Sequence, residues 1–229
     1  MATERLARRA PTCIMASLRS ANRSEPYCSL LMDKETIVIV SGLPRSGTSM
    51  MMKMLVEGGL EALTDNIRTA DEDNPKGYFE LEKVKEIDKD PSWVPDAQGR
   101  VVKMISALLK HLPADHQYRI IFMRRNMTEI LASQRQMLIR RGEPTDKVSD
   151  EKMAEMFQKH VGQVENWLTQ QPNIKVLYVN YNEVLADPRP WVEGINTFLG
   201  GGLNVEAMLG VVDRALYRQQ QSTNPASGS

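Results

Sequence analysis

The strongest chemical signal in the chain is Gly42-Leu43-Pro44-Arg45-Ser46-Gly47-Thr48. Two glycines five apart let backbone N–H groups close round an anion, and a following helix would add the positive end of its dipole. The spacing is that of the phosphate loop G-x-x-x-x-G-K-[ST]. The lysine of that pattern is absent. Thr48 stands in its place, and the cation is Arg45, two residues before Gly47. Without the lysine, the β- and γ-phosphates of a nucleoside triphosphate lose their usual partner. The apolar run Ile120-Ile121-Phe122-Met123 then leads into Arg124-Arg125, not into an aspartate for magnesium. Two arginines at a strand end favour further phosphate over a metal. A plain strand–helix turn would explain the glycines but not the arginine and hydroxyls beside them. The histidines His111, His116 and His160 have no paired spacing with cysteines or carboxylates, so no metal site is expected. His160 falls on the apolar face of a helical pattern and reads as a satisfied core histidine.

These residues need elements to position them. Thr36-Ile37-Val38-Ile39-Val40 is short, β-branched and continuously apolar, as in a strand buried on both faces. The glycine loop follows it, then a Met-rich helical stretch from Met50 to Val56, stopped by Gly58-Gly59. Residues 60–78 read as a long surface loop, and Phe79 to Lys89 as a helix. Val101–Ile105, Tyr118–Met123 and Ile174–Val179 are further strands. Leu108 to Leu112 reads as a helical turn. Met127 to Arg140, Asp150 to Gln170, Trp191 to Leu199 and Val205 to Leu209 read as helices. Strands alternating with helices predict an α/β fold, a P-loop three-layer α/β/α architecture with a mostly parallel central sheet.

Composition bounds the partners. The chain has 229 residues with 29 basic and 29 acidic side chains, so its net charge is zero. That balance gives no ground for a nucleic-acid partner or an anionic membrane surface. No apolar run approaches the ~20 residues of a membrane helix, and solubility is expected. Two cysteines, Cys13 and Cys28, make no disulfide framework, and a reducing, cytoplasmic setting is the default. Residues 1–31 hold Arg5, Arg8, Arg9, Arg19 and Arg23 against Glu4 and Glu25. A flexible extension over 1–33 is preferred to an organelle transit peptide, because the amphipathic pattern is poor. Met32 is an alternative start. The single domain is expected over 34–220, with a disordered tail over 221–229.

Pro44-Arg45-Ser46-Gly47-Thr48-Ser49 resembles the 5′-phosphosulfate loop of the sulfotransferases, where P-[KR]-[ST]-G-[ST] is typical. Arg125-Asn126-Met127-Thr128-Glu129-Ile130-Leu131-Ala132-Ser133 is similar to that family's 3′-phosphate motif, R-[DN]-P-x-x-x-x-x-S, with Met127 in place of the proline. Tyr178 to Pro188 and Phe198-Leu199-Gly200 resemble its late strand and helix. The likeness spans about residues 36–220. It implies that 3′-phosphoadenosine 5′-phosphosulfate (PAPS) is the co-substrate and 3′,5′-ADP the product. Pro44, Arg45, Ser46, Gly47, Thr48, Ser49, Arg125 and Ser133 would be its binding residues, with Arg45 neutralising the departing oxygens.

The cytosolic branch of that family takes its base from a K-T-H segment. Here the comparable stretch is Lys103-Met104-Ile105, without histidine. The resemblance therefore implies a carboxylate base, as in the tyrosylprotein and heparan branches, about twenty residues after the loop cation in an E-x-x-R setting. Counting from Arg45 reaches Asp65-Asn66-Ile67-Arg68. Asp65 is the first candidate base, with Arg68 contacting substrate. Glu80 is the second, against a reading as a helix N-terminal carboxylate. Lys103 would steady the sulfuryl group, against a reading as an ordinary flanking lysine. The acidic run Asp71–Asp73 reads as solvated loop. The acceptor would be a small molecule, a carbohydrate or a peptide, and the sequence leaves the oligomeric state open. Competing readings are a P-loop kinase and a non-catalytic nucleotide-binding protein.

Overall fold

The computed structural model describes residues 34–65, 79–145 and 148–212. The extension expected over 1–33, Arg68, the run Asp71–Asp73 and the tail over 221–229 lie outside these residues. Four strands form one sheet in the order β2-β1-β3-β4, with every neighbouring pair parallel. They are β1 (Ile37–Gly42), β2 (Val101–Lys103), β3 (Tyr118–Arg124) and β4 (Ile174–Asn180). The helices are α1 (Thr48–Glu57), α2 (Met127–Arg140), α3 (Asp150–Leu168), α4 (Tyr181–Ala186), α5 (Pro188–Phe198) and α6 (Val205–Gly210).

The central strands β1 and β3 are buried on both faces because two layers cover them, whereas the edge strand β4 is only partly covered. Alternation sorts their side chains. Val38, Val40, Val101, Ile121, Met123 and Val179 pack with residues of α1, α4, α5 and α6. Ile37, Ile39, Val102, Ile120 and Phe122 pack on the other side with Val84, Trp93, Leu109 and Leu168 of α3. The result is the three-layer α/β/α arrangement expected, with an all-parallel sheet. The connection leaving β1 passes through α1 on one face of the sheet, and the one leaving its neighbour β3 passes through α3 on the other. That makes the carboxyl end of β1 a topological switch point, where open α/β sheets form their ligand crevice.

Local signals set the helix ends. Asn126 caps α2 by accepting the Thr128 N–H at 2.9 Å, and Ser149 caps α3 from the Lys152 N–H at 3.3 Å. Gly58 closes α1, its N–H on the Met54 carbonyl at 2.9 Å.

Three expectations need correction. The helix expected over Phe79–Lys89 is only a 3-10 turn, Glu82–Glu86, preceded by an extended Leu81. Residues 60–65 are not free surface loop: Leu60 is buried and Ala62 bridges Val101 in parallel. On α3 the predicted apolar face is only partly covered. Leu168 is buried, whereas Met156 is 55% exposed. His160 on that face is satisfied, its Nε2 2.8 Å from the Ser106 hydroxyl. Burial, helped by Lys110, holds its imidazole below the usual histidine range. Among the described residues no helix is long and apolar enough to cross a membrane.

Candidate functional site

The loop between β1 and α1 is built on two glycines that no other residue can replace. Gly42 has φ +148°, and a Cβ there would lie 2.7 Å from the Met123 carbonyl oxygen and 2.6 Å from Ser46 Oγ. Gly47 has φ +99°, and its Cβ would overlap the Tyr181 ring, 2.3 Å from Cδ2. Between them Arg45 takes φ +69°, an uncommon left-handed conformation for a side-chain-bearing residue. Ser46 turns inward, buried, and its N–H bonds the Leu43 carbonyl at 3.2 Å. Thr48 and Ser49 open α1, whose first turn has no acidic side chain and no side-chain cap. Its first-turn N–H groups and dipole therefore point into the loop. Gly47→Ala should destabilise the fold by on the order of 2–3 kcal/mol, because strain and overlap with a ring in the core coincide. Urea denaturation measures this; a loss under about 0.5 kcal/mol would mean that the loop relaxes freely.

Two segments about eighty residues apart meet at this loop. Arg45 Nε donates to Ser133 Oγ at 2.8 Å. Arg125 Nη1 donates to the Arg45 carbonyl at 3.0 Å, which pins the strained residue from outside. Arg125 is itself held on two further sides, and its partner Glu129 is held in turn. Its Nε donates to Glu129 Oε2 at 2.9 Å, one turn along α2. Its guanidinium lies over the Tyr181 ring, 4.5 Å from the centroid. Asn182 Nδ2 donates to both Glu129 oxygens, at 2.9 and 3.1 Å. The Arg125 and Glu129 side chains are 8% and 5% exposed, so the pair is largely buried. Burial pushes the Tyr181 hydroxyl up, against the lowering effect of Arg125, and it stays a neutral phenol.

A second group lies towards β2. Lys103 Nζ donates to Ser49 Oγ at 3.2 Å and stands 3.7 Å from Glu80 Oε1. Lys103 thus links the start of α1 to a carboxylate. Asp65 lies next to this group through the backbone: its N–H bonds the Glu80 carbonyl at 3.3 Å. Its carboxylate, however, accepts the Glu82 N–H at 2.6 Å. The helix N-terminal role considered for Glu80 therefore falls to Asp65, while Glu80 turns to Lys103.

The structure thus brings Arg45, Ser49, Lys103, Glu80, Arg125 and Ser133 round the carboxyl ends of β1, β2 and β3, with Pro44 exposed on the loop's rim and Thr48 at the head of α1. Glu129 and Tyr181, which hold Arg125, and Asn182, which holds Glu129, were not among the residues expected from sequence. A signal for Glu129 was present: it lies four after Arg125 and third in a helix capped by Asn126. Among the described residues, no group of three or more His, Cys, Asp or Glu could hold a metal ion.

Comparison with known proteins bears on this geometry. Among solved structures, the sulfotransferase domain from the Synechococcus PCC 7002 olefin synthase is 17% identical, with a TM-score of 0.49 over 81% of this chain and 80% of that one. A mouse sulfotransferase complexed with PAP is 16% identical, with a TM-score of 0.47 over 82% and 68%. Retinol dehydratase in complex with androsterone and inactive cofactor PAP is 16% identical, with a TM-score of 0.44 over 80% and 64%. No curated protein sequence matches. The family model described as sulfotransferase domain matches residues 35–228, from just before β1 through every strand and helix of the fold. With the glycine loop, the Arg125–Ser133 segment and the whole sheet inside that match, the chain belongs to the sulfotransferase domain family.

Proposed function

We propose that this protein moves a sulfuryl group from PAPS to a hydroxyl or amine of an acceptor, with a carboxylate as base. The observation that carries this reading is the Arg45–Ser133 hydrogen bond at 2.8 Å. It joins the glycine loop to α2, so that loop and helix form one cationic surface. A nucleotide with phosphates at both its 3′ and 5′ ends needs such a surface, whereas a triphosphate needs the missing lysine and a metal. The donor set fits the group chemically: three cations, Arg45, Lys103 and Arg125, with the hydroxyls of Ser49 and Ser133. When bound, PAPS supplies the sulfuryl group and a phosphate oxygen that leaves with the electron pair of the broken S–O bond.

The chain's residues divide the remaining work. Arg45, Thr48, Ser49 and the first N–H groups of α1 hold the 5′ end. Arg125 and Ser133 hold the 3′-phosphate. Lys103 neutralises charge on the moving group. Glu80 takes the acceptor's proton as the new S–O or S–N bond forms. We prefer Glu80 to Asp65 because Lys103 ties it to α1. The absence of a histidine at Lys103-Met104-Ile105 supports the carboxylate-base branch.

Thermal shift tests the reading. A ligand at a hundred times its Kd adds about 2.7 kcal/mol, a rise of roughly 5–10 °C in Tm for a chain of this size. 3′,5′-ADP should give that rise, and Arg125→Ala should remove most of it. Stabilisation by ATP–magnesium alone would favour a kinase. Binding of 3′,5′-ADP with no transfer of labelled sulfate to phenols, alcohols, sugars or peptides would favour a binding protein.

A further inference from the structure

Asn182 is a half-buried side chain whose amide does two opposite jobs. Its Oδ1 accepts the Asn126 N–H at 3.3 Å. Its Nδ2 donates to both oxygens of Glu129, at 2.9 and 3.1 Å. A backbone N–H needs an acceptor and a carboxylate needs a donor, so the two neighbours fix which way the amide points. An aspartate would meet the first need and not the second. A leucine of similar size meets neither. The backbone makes this side chain a firm reference. Asn180 pairs with Arg124 across β4 and β3, and two residues further along each chain Asn182 meets Asn126. Asn180 also accepts the N–H groups of Asn182 and Glu183, at 3.0 and 3.4 Å, which fixes the start of α4.

What the amide settles is where Arg125 aims. The guanidinium commits its Nε to Glu129 and an Nη1 hydrogen to the Arg45 carbonyl. Glu129 therefore sets the tilt of the fork, and Asn182 sets where Glu129 stands. Charge matters as well as position. Arg125 and Glu129 are largely buried and offset each other, and Asn182 adds no charge. A carboxylate at 182 would put a second negative charge beside Glu129, where screening by water is weak. The cluster would then be net negative at the place where a phosphate dianion has to approach.

We infer that Asn182 is a positioning residue for the 3′-phosphate. By holding Glu129 it aims Arg125, and its neutral amide sets the preference for a 3′-phosphorylated nucleotide over one without that phosphate. The inference rests on the reading of Arg125 as a ligand of the 3′-phosphate. Asn182 acts through Glu129 and Arg125 rather than on the nucleotide itself.

The test is calorimetric titration of the full-length protein with 3′,5′-ADP and with 5′-AMP, which lacks the 3′-phosphate. Asn182→Asp should weaken 3′,5′-ADP about 30-fold and 5′-AMP less than about threefold, as expected of a charge placed near one end of the ligand. Asn182→Leu adds no charge and reads the same preference if the aspartate variant folds poorly; it should weaken 3′,5′-ADP about fivefold through the lost hydrogen bonds to a charged group. Glu129→Gln combined with Asn182→Asp puts one amide and one carboxylate back across the contact, with an acceptor for Arg125 Nε and for the Asn126 N–H. That double variant should bring the preference for 3′,5′-ADP back to within about threefold of wild type, a coupling that two independent structural losses would not show. If the single variants lower both affinities equally or leave both unchanged, or if the double variant restores nothing, the inference falls and the donor reading stands. If the wild-type protein binds 5′-AMP as tightly as 3′,5′-ADP, the donor reading falls and the inference with it.

Discussion

Glu129→Ala should lower the stability of the folded chain by about 3–5 kcal/mol, or on the order of 10 °C in Tm. Glu129 is 4% exposed, and its two oxygens accept from Arg125 and Asn182. Its removal leaves a largely buried guanidinium with no carboxylate. Breaking such a pair costs far more than the pair contributes over an apolar replacement. The double variant Arg125→Met with Glu129→Leu should therefore recover most of the lost stability. It should not recover 3′,5′-ADP binding, because Arg125 also grips the Arg45 carbonyl at 3.0 Å. Calorimetry on the two single variants and the double variant reads the first effect, and nucleotide titration the second. A loss below about 1 kcal/mol in Glu129→Ala would show that water reaches the pair. Recovery of binding in the double variant would show that Arg125 is structural only.

The sheet was legible first in β1, whose run Ile37-Val38-Ile39-Val40 is short, β-branched and apolar at every position. Only burial on both faces tolerates that pattern. The α2 boundaries were legible for a related reason: Arg125-Asn126 ends a strand and caps a helix, and Gly142 with Pro144 ends the periodic stretch. The phosphate loop could be read from its glycines, and the structure supplies their steric cause in Tyr181 and Met123. Asp65 and Glu80 could not be told apart by spacing. Both are carboxylates in the same neighbourhood, and their roles depend on which backbone N–H stands free. The 3-10 turn at Glu82–Glu86 leaves its first N–H, at Glu82, without an acceptor inside the turn, and Asp65 takes it. A full helix over Phe79–Lys89, as periodicity suggested, would have put Glu80 in its first turn instead. The Arg125–Glu129–Asn182 network was illegible for another reason: Asn182 lies beyond β4, and only the parallel pairing of β3 with β4 brings it to α2.

That assignment of carboxylates predicts the largest effect on turnover. Glu80→Gln should reduce kcat by roughly 10²–10⁴-fold, the range for loss of a positioned general base. The amide keeps the size and much of the hydrogen bonding, so 3′,5′-ADP affinity and Tm should change little. Asp65→Asn should behave in the opposite way. Its carboxylate holds the Glu82 N–H at 2.6 Å on an exposed turn, so the variant should lose about 0.5–1.5 kcal/mol of stability and keep kcat within a few-fold. Lys103→Met tests the geometry that links the two ideas. Its ammonium touches Ser49 and lies 3.7 Å from Glu80, so its loss should lower kcat strongly and weaken donor binding as well. Single-turnover transfer of labelled sulfate, measured beside nucleotide affinity, separates the three variants. If Asp65→Asn abolishes transfer at unchanged Tm while Glu80→Gln stays active, the base is Asp65, and the Lys103–Glu80 pair serves only to anchor the segment that carries it.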